Sequence, residues 1–129
     1  MIRGNDEMNT SDYTAKAEKV ILELRKDRYY HNFTTSKIRN ILSMVNEIYN
    51  DVLGEKDDSL PTAIQDRIMH LKVRLIYECG RERMVKKFYE KAGLDEIISG
   101  IGSSKKKFIS FVRYMEALVA YHLYYGGGE

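Results

Sequence analysis

The chain has 129 residues, of which 43% are hydrophobic and 31% charged, with a net charge of +2. That is enough for one domain around one core, in the composition range of an ordinary globular protein. No apolar run approaches the roughly 20 residues of a membrane helix, and the opening MIRGNDEMNTSD has no apolar segment of the kind a signal peptide needs.

The single cysteine, Cys79, excludes an intramolecular disulfide and points to a reducing cytoplasm. Charge is unevenly spread. Residues 1–61 carry 9 Lys/Arg against 11 Asp/Glu, residues 62–91 carry 8 against 4, and residues 92–129 carry 4 against 4. The positive excess sits in the middle of the chain, with a local cluster at Lys105, Lys106 and Lys107. This hints at an anionic partner.

In chain order, residues 1–10 are polar and expected to be disordered, as is the tail 126–129. Thr10, Ser11 and Asp12 offer N-caps for a first helix near 12–27. Its apolar residues Ala17, Val20, Ile21 and Leu24 make a stripe one face wide, so it should pack on the outside of the domain. The linker RYYHNFTTS (28–36) is rich in aromatics. Tyr29, Tyr30 and Phe33 are expected to fold onto the core, with a base-stacking platform as the alternative. Thr35 or Ser36 caps a second helix, roughly 36–53, which Gly54 ends. Its apolar face holds Ile38, Ile41, Leu42, Val45, Ile48, Tyr49 and Val52. Arg39, Ser43, Asn46 and Asn50 share one polar flank, with Lys37 on the other. An acidic loop, EKDDS (55–59), leads to Leu60-Pro61, and proline suits the start of a helix.

The stretch from Ile64 to Lys91 organises the rest and reads as a central helix over 62–92. Ile64, Ile68, Leu71, Leu75 and Cys79 make one apolar stripe. Met69, Val73, Ile76, Tyr77 and Gly80 make a second, so burial on two sides is expected. Arg67, His70, Arg74 and Arg81 share a narrow edge between them, because successive residues turn by about 100°. A row of guanidinium groups on a rigid element suits a polyanion. The plainer reading is solvation with surface salt bridges such as Arg74 to Glu78. Gly80 implies close packing or a bend.

Gly93 ends this helix, and a short helix near 94–99 and the flexible GIGSS (100–104) follow. Ser103 or Ser104 caps a last helix, roughly 104–125, with Phe108, Phe111, Val112, Met115, Leu118, Val119 and His122 on its core face. Its other side shows Arg113, Tyr114, Tyr121 and Tyr124, either a surface for a neighbouring subunit or a deeper core. The expected fold is a single all-α domain over 1–129, a compact bundle of about five helices, four long and one short.

Catalytic chemistry is sparse. His31, His70 and His122 have no metal-ligand spacing, and neither a phosphate loop nor a serine elbow is present. No metal, cofactor or enzymatic activity is expected. Arg25 and His31 have the spacing of a helical ribonuclease pair, but a predicted helix end falls between them. A third possibility is a helical protein-interaction module that binds no nucleic acid.

Four blocks carry a resemblance: TTSKIRNILS (34–43), RIMHLKVRLIYECGRE (67–82), VKKFYEKA (85–92) and FVRYMEALVAYHLYYGG (111–127). Together they closely resemble the small helical subunit of the type III-A CRISPR effector, the Csm complex. The resemblance implies an all-helical, non-enzymatic protein. Several copies would stack as an inner filament beside the guide-RNA backbone subunits and hold the guide–target duplex, mainly through target RNA. Cutting of target RNA would belong to the backbone subunit, and DNA cleavage and second-messenger synthesis to the large subunit. By that resemblance Lys37, Arg39, Arg67, Lys72 and Arg81 are RNA contacts. Arg74 joins them by helix phase alone, and Lys105 and Lys106 as lesser candidates.

Overall fold

The longest-buried element is the last helix, and the other helices are arranged on it. The computed structural model describes residues 10–126. Six α-helices run in the order α1 (Thr10–Leu24), α2 (Thr35–Leu53), α3 (Thr62–Arg81), α4 (Arg83–Lys91), α5 (Leu94–Ser99) and α6 (Lys105–Tyr124), with one 3-10 turn at Tyr30–Asn32. The described residues contain no strand, so the all-α compact bundle is what forms. The expected disorder at 1–10 and 126–129 falls outside the described residues, apart from Thr10 in α1 and Gly126 in a turn.

The start of α6 is capped by Ser104, whose hydroxyl accepts the Lys107 N–H at 3.1 Å. Phe108, Phe111, Val112, Tyr114, Met115, Leu118, Val119 and His122 are all buried along it. It packs most extensively against α1 and α2. The centre of the bundle is therefore α6, and not the helix over 62–92 that the sequence suggested. The Tyr114 hydroxyl donates to the Ala92 carbonyl at 2.8 Å inside the fold. Near the other end of α6, His122 Nδ1 shares a hydrogen bond with the Tyr30 hydroxyl, and the His122 ring meets Phe33 edge-on at 5.4 Å. Tyr30 and Phe33 thus fold inward, as expected, whereas Tyr29, expected to join them, stays exposed. Phe33 also packs on Phe88 of α4 at 4.9 Å.

The predicted helix over 62–92 is two helices. Glu82 is extended, at φ −134 and ψ 116, and joins α3 to α4. The reason is phase. With about 100° per residue, Met84 on an unbroken helix would point roughly 160° away from Ile64. The break brings Met84 and Phe88 to the core, where they are buried with Val85 and Tyr89. Gly80 lies two residues before this bend and has no neighbour within 4 Å of where a Cβ would stand.

The outward side of α3 is the second departure. Its inward residues Ile64, Ile68, Leu71 and Leu75 are buried. Met69, Val73, Ile76 and Tyr77, expected to be buried as well, are 47%, 59%, 47% and 65% exposed. Among the described residues α3 packs chiefly against α2, α4 and α5. The acidic loop is tied down elsewhere: Leu60 N–H donates to the Ser103 carbonyl at 2.8 Å and Lys105 N–H to the Asp58 carbonyl at 2.9 Å.

Two outcomes test this packing. Tyr114→Phe leaves a buried carbonyl without its donor and should cost about 1–3 kcal/mol in urea unfolding. Burial holds the His122 pKa below its ordinary 6.5. The unfolded chain then takes up the proton first, so the stability from this residue is present above about pH 6.5 and is lost on acidification. The melting temperature should fall between about pH 7.5 and about pH 5.5, and His122→Phe should flatten that fall.

Candidate nucleic-acid interface

Helices α2 and α3 run antiparallel, and their shared edge carries the arginine row. Arg67 pairs with Asp51 and also reaches the Glu47 carbonyl at 3.4 Å. Arg74 pairs with Glu47 at 3.4 Å, and Arg81 with Glu78 at 3.3 Å. Seven residues at about 1.5 Å each set the three guanidinium groups roughly 10 Å apart along the helix. The row exists, but it is not the row of unpaired charges that helix phase suggested. Arg74 takes Glu47 across the seam, while Glu78 goes to Arg81. The arginine side chains keep 39% to 57% of their exposure. Exposed pairs of this kind are worth about 0–1 kcal/mol, so a phosphate can displace the carboxylate at small cost. His70, on the same edge, is exposed.

The remaining predicted contacts scatter. The Lys37 ammonium donates to Glu82 at 2.8 Å and to the Asn32 carbonyl at 2.9 Å. That hydrogen bond is the main reason the Glu82 carboxyl titrates below its usual range. Lys72 lies on the other flank of α3, bonded to Ser99 at 2.8 Å and paired with Asp95 at 3.2 Å. Arg39 is exposed on α2 and makes no ion pair among the described residues. Lys105 bonds the Glu55 carbonyl, which puts the lysine cluster against the acidic loop and far along the bundle from Arg81. Lys106 is exposed.

Of the expected subunit surface, Arg113 and Tyr124 are exposed. Tyr121 is half-buried and stacks with Tyr125 at 6.3 Å. Tyr114 is fully buried, which removes it from any outer surface. Arg25 follows α1 and lies over the Tyr125 ring at 5.6 Å, whereas His31 is exposed on the 3-10 turn. Burial raises the Cys79 thiol pKa to about 11, so it is not a ready nucleophile. No group of three or more His, Cys, Asp or Glu among the described residues could hold a metal ion.

One cluster was not legible in the sequence. The Arg28 and Arg83 guanidinium groups lie over the Tyr29 ring, at 5.0 and 5.5 Å from its centre. They come from segments on either side of α2 and α3, and only the bend at Glu82 brings them together. The sole sequence signal was the aromatic linker itself.

The sequence profile of the family described as Csm2 Type III-A matches residues 7–128. The chain belongs to the Csm2 family. Relatives named CRISPR system Cms protein Csm2 agree with this. The one from Streptococcus thermophilus is 39% identical over 123 residues, covering 95% of this chain and 98% of the relative. One from Mycobacterium tuberculosis is 37% identical over 113 residues, covering 88% and 90%. One from Enterococcus italicus is 37% identical over 102 residues, covering 78% and 73%. A Csm2 protein is a small structural subunit of the type III-A CRISPR complex. No helix among the described residues of this Csm2 chain is long and apolar enough to cross a membrane.

The exposed, uncrowded Gly80 gives a direct test of how this helix is built. Gly80→Ala should stabilise the isolated chain by up to about 1 kcal/mol, the helix-propensity difference, measured by thermal or urea unfolding.

Proposed function

We propose that this chain is a non-catalytic, RNA-binding subunit of the cytoplasmic type III-A effector. It grips the guide–target RNA duplex, mainly the target strand, through backbone phosphates. Further copies of itself stack along the same RNA, and the backbone and large subunits flank the stack. The observation that carries this reading is the two-sided use of α3. Its edge presents Arg67, Arg74 and Arg81 at a regular rise. Its outer face leaves Met69, Val73, Ile76 and Tyr77 bare. Contiguous apolar surface on a small protein marks a protein contact, and phosphate contacts at fixed pitch need no base reading when the guide supplies the sequence. Head-to-tail contacts between copies generate open filaments.

Replacing Arg67, Arg74 and Arg81 together with alanine should weaken single-stranded RNA binding. The slope of log affinity against log salt should fall by about 0.7 for each lost contact. An unchanged slope and affinity would remove the row from the RNA track. Val73→Asp with Ile76→Asp, both outside the core, should leave the fold intact by circular dichroism and reduce assembly on RNA in sedimentation. Full-length assembly by that double variant would reject α3 as the stacking face.

A further inference from the structure

The basic groups of this chain are held in two different ways. The arginines of the α2–α3 edge and the lysines near the bend are held by carboxylates: Arg67 by Asp51, Arg74 by Glu47, Arg81 by Glu78, Lys37 by Glu82 and Lys87 by Asp27. Each such pair fixes the cation but also cancels most of its field and occupies its donors. Arg28 and Arg83 share one ring, that of Tyr29; Arg25 over Tyr125 and Arg81 over Tyr77 each have a ring to themselves, and Arg81 has Glu78 besides. A π-face attracts a guanidinium through its quadrupole without carrying a net charge and without accepting the in-plane N–H donors. Arg28 and Arg83 are therefore positioned while keeping both their charge and their hydrogen-bonding capacity.

The surroundings keep them so. Asp27 and Glu82 are the acids at this corner. Asp27 titrates below its usual range chiefly through its hydrogen bond to Lys87, and next through the Tyr29 N–H, which it accepts at 2.8 Å; the field of Arg83 is the smallest of the influences on it. Glu82 is taken by Lys37 at 2.8 Å. Both acids thus have a lysine of their own. A hollow of about 370 Å³ opens beside the ring, lined by Tyr29, Asn32, Lys37, Glu82, Arg83 and Met84. Across the Lys37–Glu82 pair a second hollow of about 260 Å³ includes Ser36, Asn40 and Arg81. The corner is therefore continuous with the Arg81 end of the arginine row.

We infer that Arg28 and Arg83, held on Tyr29, form a phosphodiester-binding corner that anchors one end of the RNA track along α3. The ligand is the sugar–phosphate backbone of the same RNA strand that the α3 row meets, bound without base preference. This inference rests on the RNA-binding reading and goes further by naming the strongest contact. Arg28 and Arg83 need break no ion pair to meet a phosphate, whereas each arginine of the row must release a carboxylate first. Charge-assisted, forked contacts of this sort are the strong ones.

The full chain is titrated into a fluorescein-labelled single-stranded RNA of mixed sequence, with anisotropy read over a range of potassium chloride. Circular dichroism checks that every variant melts as the parent does. Arg28→Gln with Arg83→Gln should lower the salt slope by about 1.4, two contacts at about 0.7 each, and weaken binding more per residue than the triple substitution of the row. Tyr29→Leu should weaken binding several-fold by freeing the arginines, while Tyr29→Phe, which keeps the ring, should bind as the parent does. If the double variant retains the parent slope while the row variant loses it, the corner is no contact and the RNA reading survives. If Tyr29→Leu binds as the parent does, the ring-held arrangement is overturned. If the parent shows no RNA binding at any salt concentration, the RNA reading falls and the corner falls with it.

Discussion

An α-helix cannot present its apolar residues to a core once their spacing drifts out of phase, and the fold turns on one such drift. Continuing α3 without interruption would carry Met84 and Phe88 away from the core that holds Ile64 and Leu75. A single extended residue, Glu82, resets the phase. The reset seats Phe88 on Phe33 and places α4 against α1 as well as α3. It also fixes the neighbourhood of Glu82 itself. Lys37 bonds to it from α2, Arg81 and Arg83 leave it in different directions, and Tyr29 receives the latter. The basic corner is thus a by-product of a packing demand.

Electrostatic partners separate the basic residues into kinds that a charge count merges. An exposed guanidinium with a carboxylate beside it contributes little to stability and projects little field. One resting on a ring projects nearly all of it. The net charge of +4 across 62–91 is therefore a poor guide to where an anion is attracted, because Glu47 and Asp51, which balance Arg74 and Arg67, lie outside that stretch. Lys105 shows the same effect at the opposite end, where it leans on the acidic loop. A protein binding a polyanion benefits from both kinds: paired cations limit repulsion in the free chain, and unpaired ones capture the strand.

The outer face of α3 has a related logic. Four of the large apolar side chains exposed among the described residues, Met69, Val73, Ile76 and Tyr77, stand together on this one helix. A subunit of a multi-subunit complex has a second folding partner in its neighbours, so its sequence encodes surfaces the isolated chain leaves open. Gly80 ends that face with no crowding from its own chain.

Much of this was legible in the sequence. Period-3.6 patterning placed α2, α5 and α6 to within one residue at each end, Gly54 and Gly93 stood where helices stop, and His122 fell on the buried face of α6 as its spacing required. Family membership was carried by contiguous blocks, which are local in the chain. The break at Glu82 and the arginines it brings to Tyr29 were not legible, nor were three matters of what a face meets. Periodicity reports that Met69, Val73, Ile76 and Tyr77 share a face, and it is silent on whether that face meets the same chain or another. It reports that Tyr114 lies beside Arg113, and it does not reveal that Ala92 waits to accept its hydroxyl proton. It places three arginines in one row, and it cannot see Asp51 and Glu47 facing them from α2. Local spacing determined most of the helices, their inward faces and the family, though not the break between α3 and α4. Long-range packing decided which apolar faces close, which cations are neutralised and which two arginines share a ring, because each of those depends on residues that only folding brings within reach.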